Sequence, residues 1–280
     1  MIAVALALGA SLTWGIADFL GGLKSRQLAL LTVMLVSQAC GLLAIGVLVA
    51  ARGEPPPDAE YLVYASLSGV AGPVGLAAFY RGMAIGQMSV IAPISATAAV
   101  VPLVVGIATG DRLTTLQVAG VTLALAGVAL ASREEADEAA RSARVAAGVG
   151  LALISALGFG SFFVAMDAAS EGDPTWALFL NRLTSVPLIA TAVLLFRPSL
   201  KVRPADVGTL VAIGLLEMAA NGLFALATTE GLVSVVSVLA SLYPVFTIAL
   251  AQLFLGERLH RAQLAGVVVA LGGVALISAG

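Results

Sequence analysis

Charge is scarce in this sequence. Asp, Glu, Lys and Arg make up 11% of its 280 residues, against the roughly 25% with which a soluble domain coats itself in groups that water solvates. That scarcity excludes a fold whose whole surface faces water. Histidine and cysteine occur once each, His260 beside Arg261 in a short polar stretch and Cys40 inside an apolar run. One cysteine makes no intrachain disulfide, and one histidine builds neither a metal cluster nor a His-based catalytic triad. Lysine occurs only at Lys24 and Lys201, and neither closes a Gly-x-x-x-x-Gly-Lys loop for phosphate. The chain by itself therefore lacks a phosphate-binding loop for ATP-driven transport. A net charge of −2 without a basic stripe gives nucleic acid no footing. Neither a cofactor nor a metal is expected.

What remains is apolar. Hydrophobic residues make up 60% of the chain, and there are 30 glycines, a residue that bilayer helices tolerate and that lets backbones approach closely. The expected class is an all-α integral membrane protein, with the lipid bilayer as its solvent. A spanning helix needs about 20 mostly apolar residues. That ruler gives ten segments, near 2–22, 28–51, 61–82, 87–109, 115–132, 146–168, 175–196, 205–229, 232–255 and 262–279. The separators are short and polar: KSRQ, RGEPPPDAE, IGQ, GDRLT, REEADEAARSAR, SEGDP, RPSLKVRP, TEG and GERLHR. The N-terminal stretch MIAVALALGASLTWGIADFLGG has no positive n-region and no plain cleavage site, so it reads as a retained first helix.

The chain repeats itself. AGVTLALAGVALAS at 119–132 returns as AGVVVALGGVALIS at 265–278. SLTWGIADF (11–19) aligns with ALGFGSFFV (156–164), GVAGPVGLAAFY (69–80) with GLLEMAANGLFA (214–225), and GDRLTTLQVAGV (110–121) with GERLHRAQLAGV (256–267), always at an offset near 145. The longest charged stretch, REEADEAARSAR, falls between the copies as a solvated linker. The expected organisation is a first five-helix repeat over 1–132, a charged linker over 133–145 and a second repeat over 146–280. Five crossings are an odd number, so the second half enters the membrane from the opposite side, and the ten transmembrane helices form two inverted five-helix repeats. In the last helix of each half, Gly120, Ala124 and Gly127 match Gly266, Ala270 and Gly273. Small residues at this spacing line one face, so helices five and ten are expected to pack together.

Ten helices in two inverted halves, Trp14-Gly15 in the first helix, Asn181-Arg182-Leu183, Tyr243-Pro244-Val245-Phe246 and Gly256-Glu257-Arg258-Leu259 together resemble the ten-helix EamA-type permeases of the drug/metabolite transporter superfamily. The resemblance spans essentially the whole chain. It implies a secondary carrier of the cytoplasmic (inner) membrane, often an exporter of amino acids or related metabolites, with a central cavity lined by both halves. It also implies cytoplasmic termini. The Lys and Arg count over the loops, with Lys24, Arg26, Arg197, Lys201 and Arg203 on one side and mainly Arg52 and Arg112 on the other, places the termini outside instead. Orientation stays open between the two.

An ionisable group at bilayer depth costs several kcal/mol unless it faces a wet cavity or a partner, so each is a candidate. Glu217 sits mid-helix with Asn221 one turn later on the same face, poised to couple proton movement to transport; the alternative is a structural carboxyl. Arg182 lies about 10 Å into helix seven, placed to pair with Glu217, to receive a substrate carboxylate or to snorkel outward. Asp18 and Arg81, near the ends of helices one and three, are expected as an ion pair or gate latch. Trp14, Tyr80, Phe159 and Tyr243 are expected as aromatic cavity walls. Gln38, Ser95 and Thr97 read as helix-packing groups. Asp111, Asp167, Glu230 and Glu257 read as solvated helix ends. Pro73, Pro93, Pro102 and Pro244 are kinks or hinges.

The function expected from these residues is secondary transport of a small polar or amphipathic metabolite by alternating access, probed first with amino acids, by a protein acting as a monomer. A channel or facilitator, or a membrane-embedded lipid-handling enzyme, is the alternative.

Overall fold

The computed structural model describes residues 1–85, 88–131, 142–255 and 261–279, and among these every regular element is helical. In chain order they are α1 (Ile2–Ser25), α2 (Leu30–Arg52), α3 (Ala59–Ile85), α4 (Met88–Ala96), α5 (Val100–Thr109), α6 (Thr115–Ala131), α7 (Ser142–Ser170), α8 (Pro174–Phe196), α9 (Pro204–Thr229), α10 (Val233–Ala240), α11 (Tyr243–Leu255) and α12 (Arg261–Ala279). Among the described residues, seven stretches are long and apolar enough to cross a membrane: α1, α2, α3, Gly150–Ser170 of α7, α8, α9, and the run Val233–Leu255 shared by α10 and α11. The apolar stretches Ile94–Thr109 and Thr115–Gly127 are shorter. Most of the linker 133–145, the IGQ turn and the Gly256-Glu257-Arg258-Leu259 motif lie outside the described residues.

The segments expected at 87–109 and 232–255 are not single helices. The first breaks at a 3-10 turn, Thr97–Ala99, between α4 and α5, and the second breaks at Ser241 and Leu242 between α10 and α11. Proline explains both. Pro102 and Pro244 lie in the first turn of α5 and α11, where a proline ring clashes with the carbonyl four residues back and donates no hydrogen bond to it. Those carbonyls belong to Ala98 and Ala240, the residues at the breaks. Elsewhere the connections follow local rules. Asp173 caps α8 by accepting a hydrogen bond from the Trp176 amide at 2.8 Å, with Pro174 at the first helical position.

The two halves bury each other rather than themselves. The principal neighbour of every helix lies in the other half: α1 runs along α9, α3 along α7, α2 against α8, and α6 along α12. The pairing is reciprocal, the first helix of each half meeting the third and fourth of its counterpart. Gly15 abuts the Tyr243 carbonyl and Phe246, while Gly160 abuts the Ala98 carbonyl and Val101, each partner shifted by the same 145 positions as the glycines themselves. A Cβ on Gly158 would lie 2.6 Å from the Gly75 Cα, so α3 and α7 touch backbone to backbone. A Cβ on Gly273 would lie 2.6 Å from the Gly120 carbonyl oxygen. The small-residue faces of the fifth and tenth expected segments, now α6 and α12, thus pack as the repeat implied.

This crossing gives a direct test. Gly158→Ala forces a methyl group into backbone that has nowhere to move, and is expected to destabilise the protein by about 1–3 kcal/mol. Gly150→Ala, on the same helix with nothing within 4 Å of the added carbon, is expected to be neutral. Thermal unfolding of the purified variants in detergent checks both.

Candidate functional site

At mid-depth between the halves, Trp14 and Asp18 of α1, Gln38 of α2, Gly72, Pro73 and Leu76 of α3, Phe159, Phe162 and Phe163 of α7, Asn181 and Arg182 of α8, Glu217 and Asn221 of α9 and Tyr243 of α11 enclose one cavity. Space for water-sized molecules inside it is about 50 Å³, enough for roughly three waters. A metabolite does not fit into that space as it stands.

One wall is a charged network. Arg182 is eight residues into α8 and Gln38 eight residues into α2, each about 12 Å along its helix. Arg182 is 3% exposed and Glu217 6% exposed. The Arg182 Nη2 lies 3.7 Å from Glu217 Oε2. Gln38 bridges them: its Oε1 accepts hydrogen bonds from Arg182 Nη1 and from Ser185 Oγ, and its Nε2 donates to Glu217 Oε2 at 3.3 Å. Tyr80 donates its hydroxyl to the other Glu217 oxygen, Oε1, at 3.1 Å. Every charge here is answered by an opposite charge or a dipole, which is the condition for keeping ions out of water. Among the described residues, Arg182 Nε and Nη2 and Asn181 Oδ1 have no hydrogen-bond partner.

Aromatic rings line the same cavity. Trp14 stands 5.7 Å from Phe163, 5.8 Å from Phe224 and 6.4 Å from Phe162, centroid to centroid, and donates its indole N–H to Asn221 Oδ1 at 3.0 Å. Phe159 meets Phe79 edge to face at 5.7 Å, and Phe79 meets Tyr243 likewise at 5.8 Å. The two chemistries occupy matching places in the repeat. Asp18 and Phe163, Glu217 and Gly72, and Asn221 and Leu76 stand 145 positions apart, and all six line the cavity. A duplicated frame thus carries a lining that differs between its copies.

Of the residues expected at the site, Trp14, Phe159, Arg182, Glu217, Asn221 and Tyr243 come together on the cavity wall. Tyr80 stands behind Glu217 rather than on the wall, its ring over Gly21. Arg182 does not snorkel outward. The latch expected between Asp18 and Arg81 is not formed. Asp18 is 4% exposed and faces the cavity, whereas Arg81 is exposed. Tyr80 already takes the inward face of α3, and a helix turns the next residue about 100° away. Both oxygens of Glu217, expected either to couple proton movement to transport or to serve as a structural carboxyl, are engaged by hydrogen bonds. Gln38, read from sequence as a packing group, proves to be the bridge of the network, and its only signal was an amide in mid-helix. Asn181 donates to Ser68 Oγ at 2.9 Å. Ser95 and Thr97 are not on the wall.

Ion pairs close both ends of the bundle. At one end Lys24 pairs with Asp206 at 2.7 Å and Arg203 pairs with the same carboxylate at 2.8 Å, while Arg26 donates to the Met83 carbonyl. At the other, Arg52 pairs with Asp173 at 3.0 Å. Also there, Asp111, expected as a solvated helix end, accepts from the Ser234 hydroxyl and amide at the start of α10.

A model of the EamA-like transporter family matches residues 1–133 and, a second time, residues 146–279. The chain belongs to the EamA-like transporter family: it is a multi-pass membrane protein with the two-repeat architecture of that family, whose members transport small solutes and are not enzymes. A solved structure titled only "Crystal structure of protein" has a TM-score of 0.76 to this chain, covering 98% of it and 95% of its own length at 18% identity, a likeness of fold. No curated protein sequence matches the chain.

Removing one partner of a buried ion pair leaves the other uncompensated. Glu217→Ala is therefore expected to cost about 3–5 kcal/mol. The double variant Arg182→Met with Glu217→Leu removes both charges and is expected to regain most of that loss. Melting temperatures in detergent compare them, and equal destabilisation of single and double variants would show that the two charges are not coupled.

Proposed function

We propose that this protein is a secondary transporter of the cytoplasmic membrane that exports amino acids or related small metabolites by alternating access, working as a monomer with ten transmembrane helices in two inverted repeats. The observation that carries this reading is the narrow mid-depth cavity between the halves, lined by Arg182 and by aromatic rings. A guanidinium that parts from Glu217 as the halves open is suited to a substrate carboxylate, and the aromatic rings to an apolar side chain. The cavity is too small for such a molecule as it stands, so binding requires the halves to part. Each end of the bundle is held by pairs between helices of different halves, Lys24 with Asp206 and Arg52 with Asp173. Breaking one set while keeping the other is a rocking motion of one repeat against the other, the means by which inverted-repeat carriers alternate access. The deep charges form one off-axis cluster rather than the matched rings that line selective pores, which favours a carrier over a channel.

The test is counterflow in proteoliposomes with a panel of labelled amino acids. Saturable exchange of at least one, abolished in the double variant Arg182→Met, Glu217→Leu, is expected. A protein that exchanges none of them would overturn the substrate class.

A further inference from the structure

Asp18 is a buried carboxyl on the cavity wall that nothing balances. It lies one turn beyond Trp14 on the same face of α1 and, among the described residues, makes no hydrogen bond and no ion pair. The cations within reach are committed or turned away: Arg182 to Gln38 and Glu217, Lys24 to Asp206, and Arg81 toward the outside. The elements packed on α1 bring Glu217 from α9, Tyr80 from α3 and Tyr243 from α11 to face it, Gln38 of α2 shares its cavity, and α10 brings no titratable group. All of these are neutral or negative. An ionised Asp18, 4% exposed in so narrow a cavity, would therefore confront a second carboxylate with no counter-charge of its own, a cost that a buried group escapes by taking up a proton. Glu217 is in the reverse position. Tyr80, Gln38 and Arg182 all direct donors or positive charge at its oxygens, and a proton added there would displace a donor and leave Arg182 uncompensated.

We propose that Asp18, rather than Glu217, is the proton-binding group of the cavity, protonated while the cavity is closed and ionised when the cavity opens. The proposal rests on this cavity being the one that opens during transport. The exchange is simple in balance. On opening, the Asp18 O–H bond breaks, the proton passes to an entering water, and the carboxylate left behind is solvated; reclosing requires a proton to return. Occupancy of one side chain then sets the equilibrium between closed and open cavity, which links that equilibrium to pH.

The experiment needs no substrate, so its outcome is independent of whether amino acids are transported. The chain has two tryptophans, and in a Trp176→Phe background Trp14, four residues from Asp18, reports on the cavity alone. Its fluorescence is titrated against pH in detergent, with infrared pH-difference spectra of the same samples recording the carbonyl stretch of protonated carboxyl groups. The expected result is one reversible fluorescence step with a matching carboxylic-acid band. Both should be lost in Asp18→Asn and kept in Glu217→Gln. Asp18→Asn removes no partner, so its melting temperature should equal or exceed that of the parent. A step and band that persist in Asp18→Asn, or vanish in Glu217→Gln alone, would overturn the proposal. Should Asp18→Asn fail to fold, the parent protein still decides: absence of any titrating carboxylic-acid band overturns it, and a band that shifts in Asp18→Glu supports it.

Discussion

A guanidinium held about 12 Å inside a bilayer-length helix constrains much of what surrounds it. Arg182 cannot reach water from there, so the fold must bring it a counter-charge and enough hydrogen-bonding groups to replace its hydration. It does so from three other helices: Glu217 from α9, Gln38 from α2, and Tyr80 of α3 acting through Glu217. These partners come from both halves of the chain, so the network forms only when the halves are assembled. The ion pair and the interlocked packing are for this reason one arrangement, since the apolar contacts bring the charges together and the charges tolerate no other register.

The frame around that network is duplicated, and the site inside it is not. Backbone crossings recur at the repeat spacing, as the contacts of Gly15 and Gly160 show. At such crossings the requirement is steric: a carbon atom on either glycine would overlap its neighbour, whatever the half. Cavity positions carry no such demand, and there the copies differ. Where one copy has Asp18, Glu217 or Asn221, the matching position of the other has Phe163, Gly72 or Leu76. A symmetric frame can pivot about a central plane, while an asymmetric lining can give a solute a polar end and an apolar end.

Two further devices fit a carrier that must open at one face at a time. The fourth helix of each half is broken beside a proline, at Thr97–Ala99 and at Ser241–Leu242. Such a break interrupts the regular α-helical hydrogen bonding inside the bundle, which a membrane protein tolerates only where protein or a wet cavity surrounds it. The charged pairs lie at the two ends of the bundle, between helices of different halves, where separating them exposes the charges to water rather than to lipid.

Much of the frame was legible in the sequence. Scarce charge and ten apolar stretches dictated a helical membrane protein, because lipid offers no other partner to backbone amides. The 145-residue echo dictated two halves, and the small-residue stripes around Gly120 and Gly273 their contact. Trp14, Phe159, Arg182, Glu217, Asn221 and Tyr243 stood out because polar and aromatic groups in mid-membrane need a reason to be there. Only the tertiary structure decided which of them are partners. Sequence spacing orders residues along one helix, but the facing of α2, α8 and α9 is set by packing between segments far apart in the chain. That packing made Gln38 a bridge rather than a spacer, turned Arg81 away from Asp18, and engaged both oxygens of Glu217 while leaving Asp18 without a counter-charge.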